Sequence, residues 1–311
     1  MPLRPLLALL VLAPFIGEVL SSNVPASLFV LRPAMIFFVV ITYSVPVLLL
    51  RELWVARSLS PAALFVCGLA YGIFNEGLLA RTLLLRDHLP VPTFDGYLVV
   101  GGLNLSWGIT ILVWHAVFSV TTPIFIVHSL WREESRSRWL STKWLIAMVA
   151  LTFTTALLYF RSEGAPPPPT LYFFAFVVGI GALLAIATRL KGGATEQTAA
   201  SWIPLAAGTS FFAFFAGAFV LSGRALPPVA FLSYALAVIV AFASQLPRMA
   251  RARNGVLLFC IGNCATYSLF VFVAKLHASV DGILVTGVVA GGCVFLLRHA
   301  YADREARAVE T

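Results

Sequence analysis

Apolar runs of about 20 residues recur along the chain, separated by short polar or proline-rich turns. They lie near 4–21, 34–50, 60–83, 104–131, 143–160, 170–189, 202–222, 228–246, 255–274 and 280–298. A helix rising about 1.5 Å per residue needs about 20 residues to cross a hydrocarbon core of roughly 30 Å. The pattern therefore predicts an all-α fold, a polytopic transmembrane helical bundle of about ten helices. Proline clusters mark the turns: "LPVP" after the third run, "APPPP" after the fifth and "LPP" after the seventh. The fourth run is long, which implies tilt or an interfacial turn at "GYLVVGGLNLSW". Arg4 before the first run could introduce a signal peptide, but Pro14 and Glu18 interrupt its core and no small-x-small site follows, which favours a retained span. No internal repeat is visible between the two halves.

Composition strengthens this picture. Hydrophobic residues make up 60% of the chain and charged ones 11%, with a mean hydropathy of +0.95, whereas soluble domains carry about 25% charged residues. No polar stretch is long enough for a soluble domain. One transmembrane domain, 1–311, is expected: four helices over 1–131, six apolar ones over 143–298 and a cytoplasmic tail over 299–311.

The formal net charge of +8 changes meaning once it is placed along the chain. With the spans alternating in direction, 15 of the 21 Lys and Arg residues fall on one side and 6 on the other. The positive-inside rule makes the richer side cytoplasmic, giving N-in/C-in orientation. The basic charge is thus topological, and no nucleic-acid partner is implied. Cys67, Cys260, Cys264 and Cys293 all fall in apolar runs without disulfide or zinc spacing, so they read as buried thiols packing as small hydrophobes.

Ionisable groups inside a membrane cost about 2.5–3.5 kcal/mol each on insertion scales, which makes them functional suspects. Away from the ends of the runs the acidic residues are Glu18 and Glu76, and the deep histidine is His115. All three belong to the first four helices. On the third run Gly68, Gly72 and Glu76 recur every four residues, a small-residue stripe that lets a neighbouring backbone approach. On the fourth, Asn104, Gly108, His115, Ser119 and Thr122 share a face. A polar pocket opening externally is expected, lined by Glu18, Asn75, Glu76, Asn104 and His115. Arg81, nearer the surface, would snorkel to headgroups or guide an anionic ligand. On the ninth run Cys260, Asn263, Cys264 and Tyr267 form a second, weakly polar face that reads as packing material.

Two resemblances follow. "GEVLSS" at Gly17–Ser22, "REL" at Arg51–Leu53, "AYGIFNEGL" at Ala70–Leu78 and "HAVFS" with "PI" at His115–Ile124 resemble a group of bacterial multi-pass proteins with no assigned activity, over about the first 130 residues. That group usually shows paired glutamates, where Asn75 stands here. A weaker likeness is to the CAAX-protease and bacteriocin-processing membrane family, which implies water activation by a glutamate pair, an arginine and histidines. Glu76 and Arg81 have the spacing of its first glutamate and arginine, with His115 on the next helix, but Gly77 replaces the second glutamate, Ile111 stands where a phenylalanine would precede His115 by four, and no second deep histidine follows.

The expectation is transport or binding of a small molecule or lipid, with Glu76 carrying a proton, His115 bonded to it, and Asn75 and Asn104 orienting the ligand. The alternatives are an intramembrane hydrolase, with Glu76 as base and His115 as acid, and a scaffold without chemistry. No metal or other cofactor is implied. The partners expected are membrane lipids and the small-molecule or lipid ligand, with assembly into a homo-oligomer left open.

Overall fold

The computed structural model describes residues 2–21, 25–32, 34–161, 168–192, 203–221, 226–251, 254–273 and 280–308. The "APPPP" turn through Pro167, together with Arg224, Lys275, His277 and the last three residues of the tail, lies outside them.

Helices occupy each of the ten apolar stretches. We number them α1 (Leu3–Pro14, continued by Phe15–Val19), α2 (Ala34–Ala56), α3 (Pro61–Leu79), α4 (Leu105–Leu130), α5 (Thr142–Arg161), α6 (Thr170–Arg189), α7 (Ile203–Leu221), α8 (Pro228–Arg251), α9 (Gly255–Val271) and α10 (Val280–Ala308). Six of these, α2, α3, α4, α6, α7 and α10, contain stretches long and apolar enough to cross a bilayer, and α5, α8 and α9 contain shorter apolar stretches. The protein is an all-α polytopic membrane bundle.

Several boundaries differ from expectation. Helix α2 continues six residues past Leu50, to Ala56, and carries Arg51 and Glu52 into the bundle. Helix α10 runs on to Ala308, so most of the expected tail is helical. The stretch before α4 folds as a small hairpin, β1 (Val99–Val100) against β2 (Leu103–Asn104). Gly101 and Gly102 supply its turn with φ of +60° and +90°, a region open to glycine at little cost.

Local signals set the helix starts. Ser60 caps α3, its hydroxyl accepting from the Ala63 N–H at 3.2 Å, with Pro61 in the first turn. Asn104 caps α4 by accepting from the Trp107 N–H at 3.0 Å. Helix α3 ends at Arg81, whose φ of +60° turns the chain back over the bundle.

Helix α4 is the most enclosed. The Gly68–Gly72 stripe of α3 packs directly on it: a Cβ on Gly68 would lie 2.5 Å from the Ala116 Cα, and one on Gly72 would lie 2.7 Å from a Leu112 methyl carbon. On the other side α7 and α9 cross at Gly208 and Gly262, where a Cβ would strike the Phe259 and Leu205 carbonyls. At these two positions the absence of a side chain lets the helix backbones meet. The outer helices turn large apolar side chains outward, such as Phe153 of α5 and Val178 of α6. A separate apolar cluster around Leu83, Phe94, Trp107, Phe176 and Phe231 closes one end of the bundle.

Candidate functional site

The polar groups of the first four helices sit on four stretches of π-helix: Phe15–Val19, Val40–Ser44, Ile73–Leu79 and His115–Thr121. Such widened turns are rare and concentrate where a protein needs an irregular helix face. Prolines account for part of the irregularity. Pro14 has no N–H to give the Leu10 carbonyl, and the Ser44 hydroxyl of α2 donates to it at 2.7 Å. Pro46 likewise deprives the Thr42 carbonyl, which accepts from the Tyr71 hydroxyl of α3 at 2.9 Å. Membrane helices tolerate prolines where neighbours re-satisfy the freed carbonyls in this way. Pro123 follows the π-stretch of α4.

The widened turn in α3 lets two adjacent residues, Asn75 and Glu76, reach His115. Its Nε2 lies 2.8 Å from Glu76 Oε1 and 3.4 Å from the Asn75 amide nitrogen, and its Nδ1 lies 3.0 Å from the Ser119 hydroxyl. With a carboxylate facing Nε2, the network assigns that nitrogen the proton and leaves Nδ1 to accept from Ser119. The other Glu76 oxygen accepts from the Thr82 hydroxyl, which itself accepts from Trp107 Nε1 at 2.8 Å. Asn75 donates to the Tyr43 hydroxyl at 3.2 Å, and Tyr43 donates to Glu18. Glu18, Tyr43 and Asn75 thus form one hydrogen-bonded chain, and its Asn75 end lies against the His115–Glu76 pair. Glu76 is 7% exposed and His115 only 1%.

Beside this chain lies a cavity of about 320 Å³. Glu76, His115, Tyr43 and Thr110 supply polar wall, and Trp107, Trp114, Tyr267 and Phe270 supply aromatic wall. Its rim includes Pro90, Val91 and Thr93 of the α3–α4 loop, with Ser21 beyond α1 and Val271 at the end of α9. All belong to one end of the bundle.

The structure brings Glu18, Asn75, Glu76 and His115 together. It does not bring in Asn104, which is spent on capping α4, accepting from Ser106 at 2.9 Å and donating to the Phe94 carbonyl at 2.7 Å. The helical face drawn from Asn104 through His115 fails because the helix starts at Leu105 and widens after Trp114. Arg81 is buried at 3% exposure, so its side chain does not reach outward as expected, and it is absent from the cavity's described lining. Ser119 joins the network from the polar face expected on the fourth run, whereas Tyr43 and Thr82 join it without a sequence signal of their own. Tyr267, expected to be packing material, lines the cavity.

A second buried cluster, at the opposite end, is also invisible in the spacing of residues. Arg51 Nε donates to His128 Nε2 at 3.1 Å, while its Nη2 donates to the Ser135 and Ser137 carbonyls at 2.8 and 2.9 Å. Its guanidinium pairs with Glu52 and stacks 3.6 Å from the centre of the Trp139 ring. Glu52 also accepts from the Trp139 and Leu140 backbone N–H groups at 3.1 and 3.2 Å. By sequence alone the "REL" pair is the polar end of a span.

Against known proteins, a family model described as an uncharacterized membrane protein family matches residues 7–302. The chain belongs to that family. The likeness expected over about the first 130 residues therefore runs through nearly the whole chain, α5–α10 included. No curated protein and no solved structure matches. Among the described residues no cluster of three or more His, Cys, Asp and Glu side chains could hold a metal, and the four cysteines are buried and free. What this member of the family presents is a buried contact between Glu76 and His115 beside an aromatic cavity.

Proposed function

We propose that the protein binds a small molecule in this cavity from outside the cell and passes it across a bacterial cytoplasmic membrane, ten helices spanning in N-in/C-in orientation. The observation that carries the reading is the contact of Glu76 and His115, from adjacent helices, on the wall of a cavity about 320 Å³ in volume. Ligand sites of small molecules begin near this size, and intramembrane carboxylates facing them serve as ligand contacts and proton relays. The carboxylate and imidazole, 2.8 Å apart, can exchange a proton as a ligand enters. The charge count along the loops supports the orientation, because the cavity rim lies on the side poor in Lys and Arg.

Cysteine accessibility tests the reading. Thr93→Cys, at the exposed rim of the cavity, is expected in intact cells to react with a membrane-impermeant maleimide added outside, while the native cysteines, all buried, stay silent. Small-molecule profiles of cells overproducing the protein are expected to differ from those of cells overproducing Glu76→Gln. Labelling only from the cytoplasmic side, or identical profiles, would refute it.

A further inference from the structure

The cavity wall is chemically one-sided. Its described lining includes the carboxyl of Glu76 and no Lys or Arg. A second carboxyl, Glu18, stands one hydrogen bond behind the wall, joined through the Tyr43 hydroxyl. The remainder is dominated by π faces: Tyr43, Trp107, Trp114, Phe219, Tyr267 and Phe270.

Those rings are held in place. Trp107 is anchored through its indole N–H to Thr82. Trp114 stacks on Phe118 with centroids 4.0 Å apart and an interplanar angle of 17°, and Tyr267 packs 4.7 Å from it. A rigid aromatic enclosure with acidic groups behind it attracts positive charge through ring quadrupoles and carboxylates together. A lipid tail would gain nothing from Glu76. An anion would face two carboxyls, with His115, already committed to Glu76, as the one basic residue in the described lining.

We propose that the cavity takes an organic cation, a compact amine or quaternary ammonium compound, its charge held between Glu76 and the faces of Trp107, Trp114, Tyr43 and Tyr267. This deepens the pocket reading above and rests on it.

Three probes of nearly one shape test the charge. They are benzyltrimethylammonium, its neutral carbon isostere neopentylbenzene and the anion phenylmethanesulfonate, titrated onto the full chain in nanodiscs with tryptophan fluorescence as the readout and protein-free nanodiscs as the blank. The cation is expected to bind about tenfold or more tightly than neopentylbenzene, and the sulfonate more weakly than either. Glu76→Gln is expected to weaken the cation about tenfold and leave the neutral probe unchanged. Tyr267→Leu, outside the carboxyl chain, is expected to weaken the cation if the rings share its charge. Equal affinity for the cation and neopentylbenzene, or preference for the sulfonate, overturns the cation proposal while the pocket stands. Should no probe bind, the proposal falls, and labelling of Thr93→Cys from outside then decides whether the pocket reading falls with it.

Discussion

Two clusters of buried charge occupy opposite ends of the same helices, and they are built on different principles. Around Arg51 and Glu52 the partners include groups that cannot change role: two carbonyls for the guanidinium, backbone N–H groups for the carboxylate, and an indole ring beneath. Around Glu76 the partners are a hydroxyl and an imidazole, both able to give or take a proton, with a cavity alongside. The first arrangement locks the 131–140 loop against α2 and α4. The second can trade partners with whatever enters. Burial of charge alone therefore does not identify a working site; the exchangeability of its partners does.

The largest expected effect comes from removing a fixed partner. Glu52→Gln leaves Arg51 buried at 0% exposure without its counter-ion, and breaking a buried pair from one side costs about 3–5 kcal/mol. Glu76→Gln keeps the shape and one acceptor oxygen, for Thr82, while its amide N–H can donate to His115 Nε2 in the other tautomer, with Nδ1 then donating to Ser119. Interhelical hydrogen bonds in membranes average only about 0.6 kcal/mol, so its cost should stay below about 1 kcal/mol. Thermal unfolding of the detergent-solubilised variants compares them directly. Equal losses would erase the distinction between lock and site.

The next effect sharpens the outer end. Gly68→Val puts branched carbon into space the Ala116 backbone already fills, since even a single Cβ on Gly68 would lie 2.5 Å from the Ala116 Cα. Overpacking of this kind costs about 1–3 kcal/mol. Because backbone is met, α3 and α4 must part, and the Glu76–His115 contact parts with them. The variant is expected to unfold at lower temperature and to lose cation binding together. Retention of both would mean that the glycine stripe does not position the site.

How much of this can be read from residues alone varies with the physics involved. Ten apolar runs foretell the helices because burial in lipid demands length and little else. The α3–α4 contact is legible too, since Gly68, Gly72 and Glu76 follow helical spacing up to the π-stretch that begins at Ile73. Asn104 is misplaced when regular spacing is carried across a helix start and a widened turn. Arg51, Glu52 and His128 escape notice because charges near span ends ordinarily meet water; only the folded 131–140 loop, distant in sequence, buries them. Tyr43 gives no signal of its own within an apolar run, and its partner Glu18 lies 25 residues away.

The smallest effect probes why the outer end is irregular at all. If Pro46 orphans the Thr42 carbonyl and Tyr71 answers it, then Tyr71→Phe should cost about 0.6 kcal/mol, up to about 1.7 at the upper limit for such bonds. In a Pro46→Ala background the new N–H can reach back to Thr42 within its own helix, and the same Tyr71→Phe change should then cost almost nothing. The pair forms a double-mutant cycle whose coupling energy isolates the borrowed hydrogen bond from the ring's packing. The inner cluster offers a control, since Pro46→Ala should leave the cost of Glu52→Gln unchanged. A coupling near zero between Tyr71 and Pro46 would mean that the widened turn of α2 has a cause other than the missing N–H, and the π-stretches would lose their proline-based explanation.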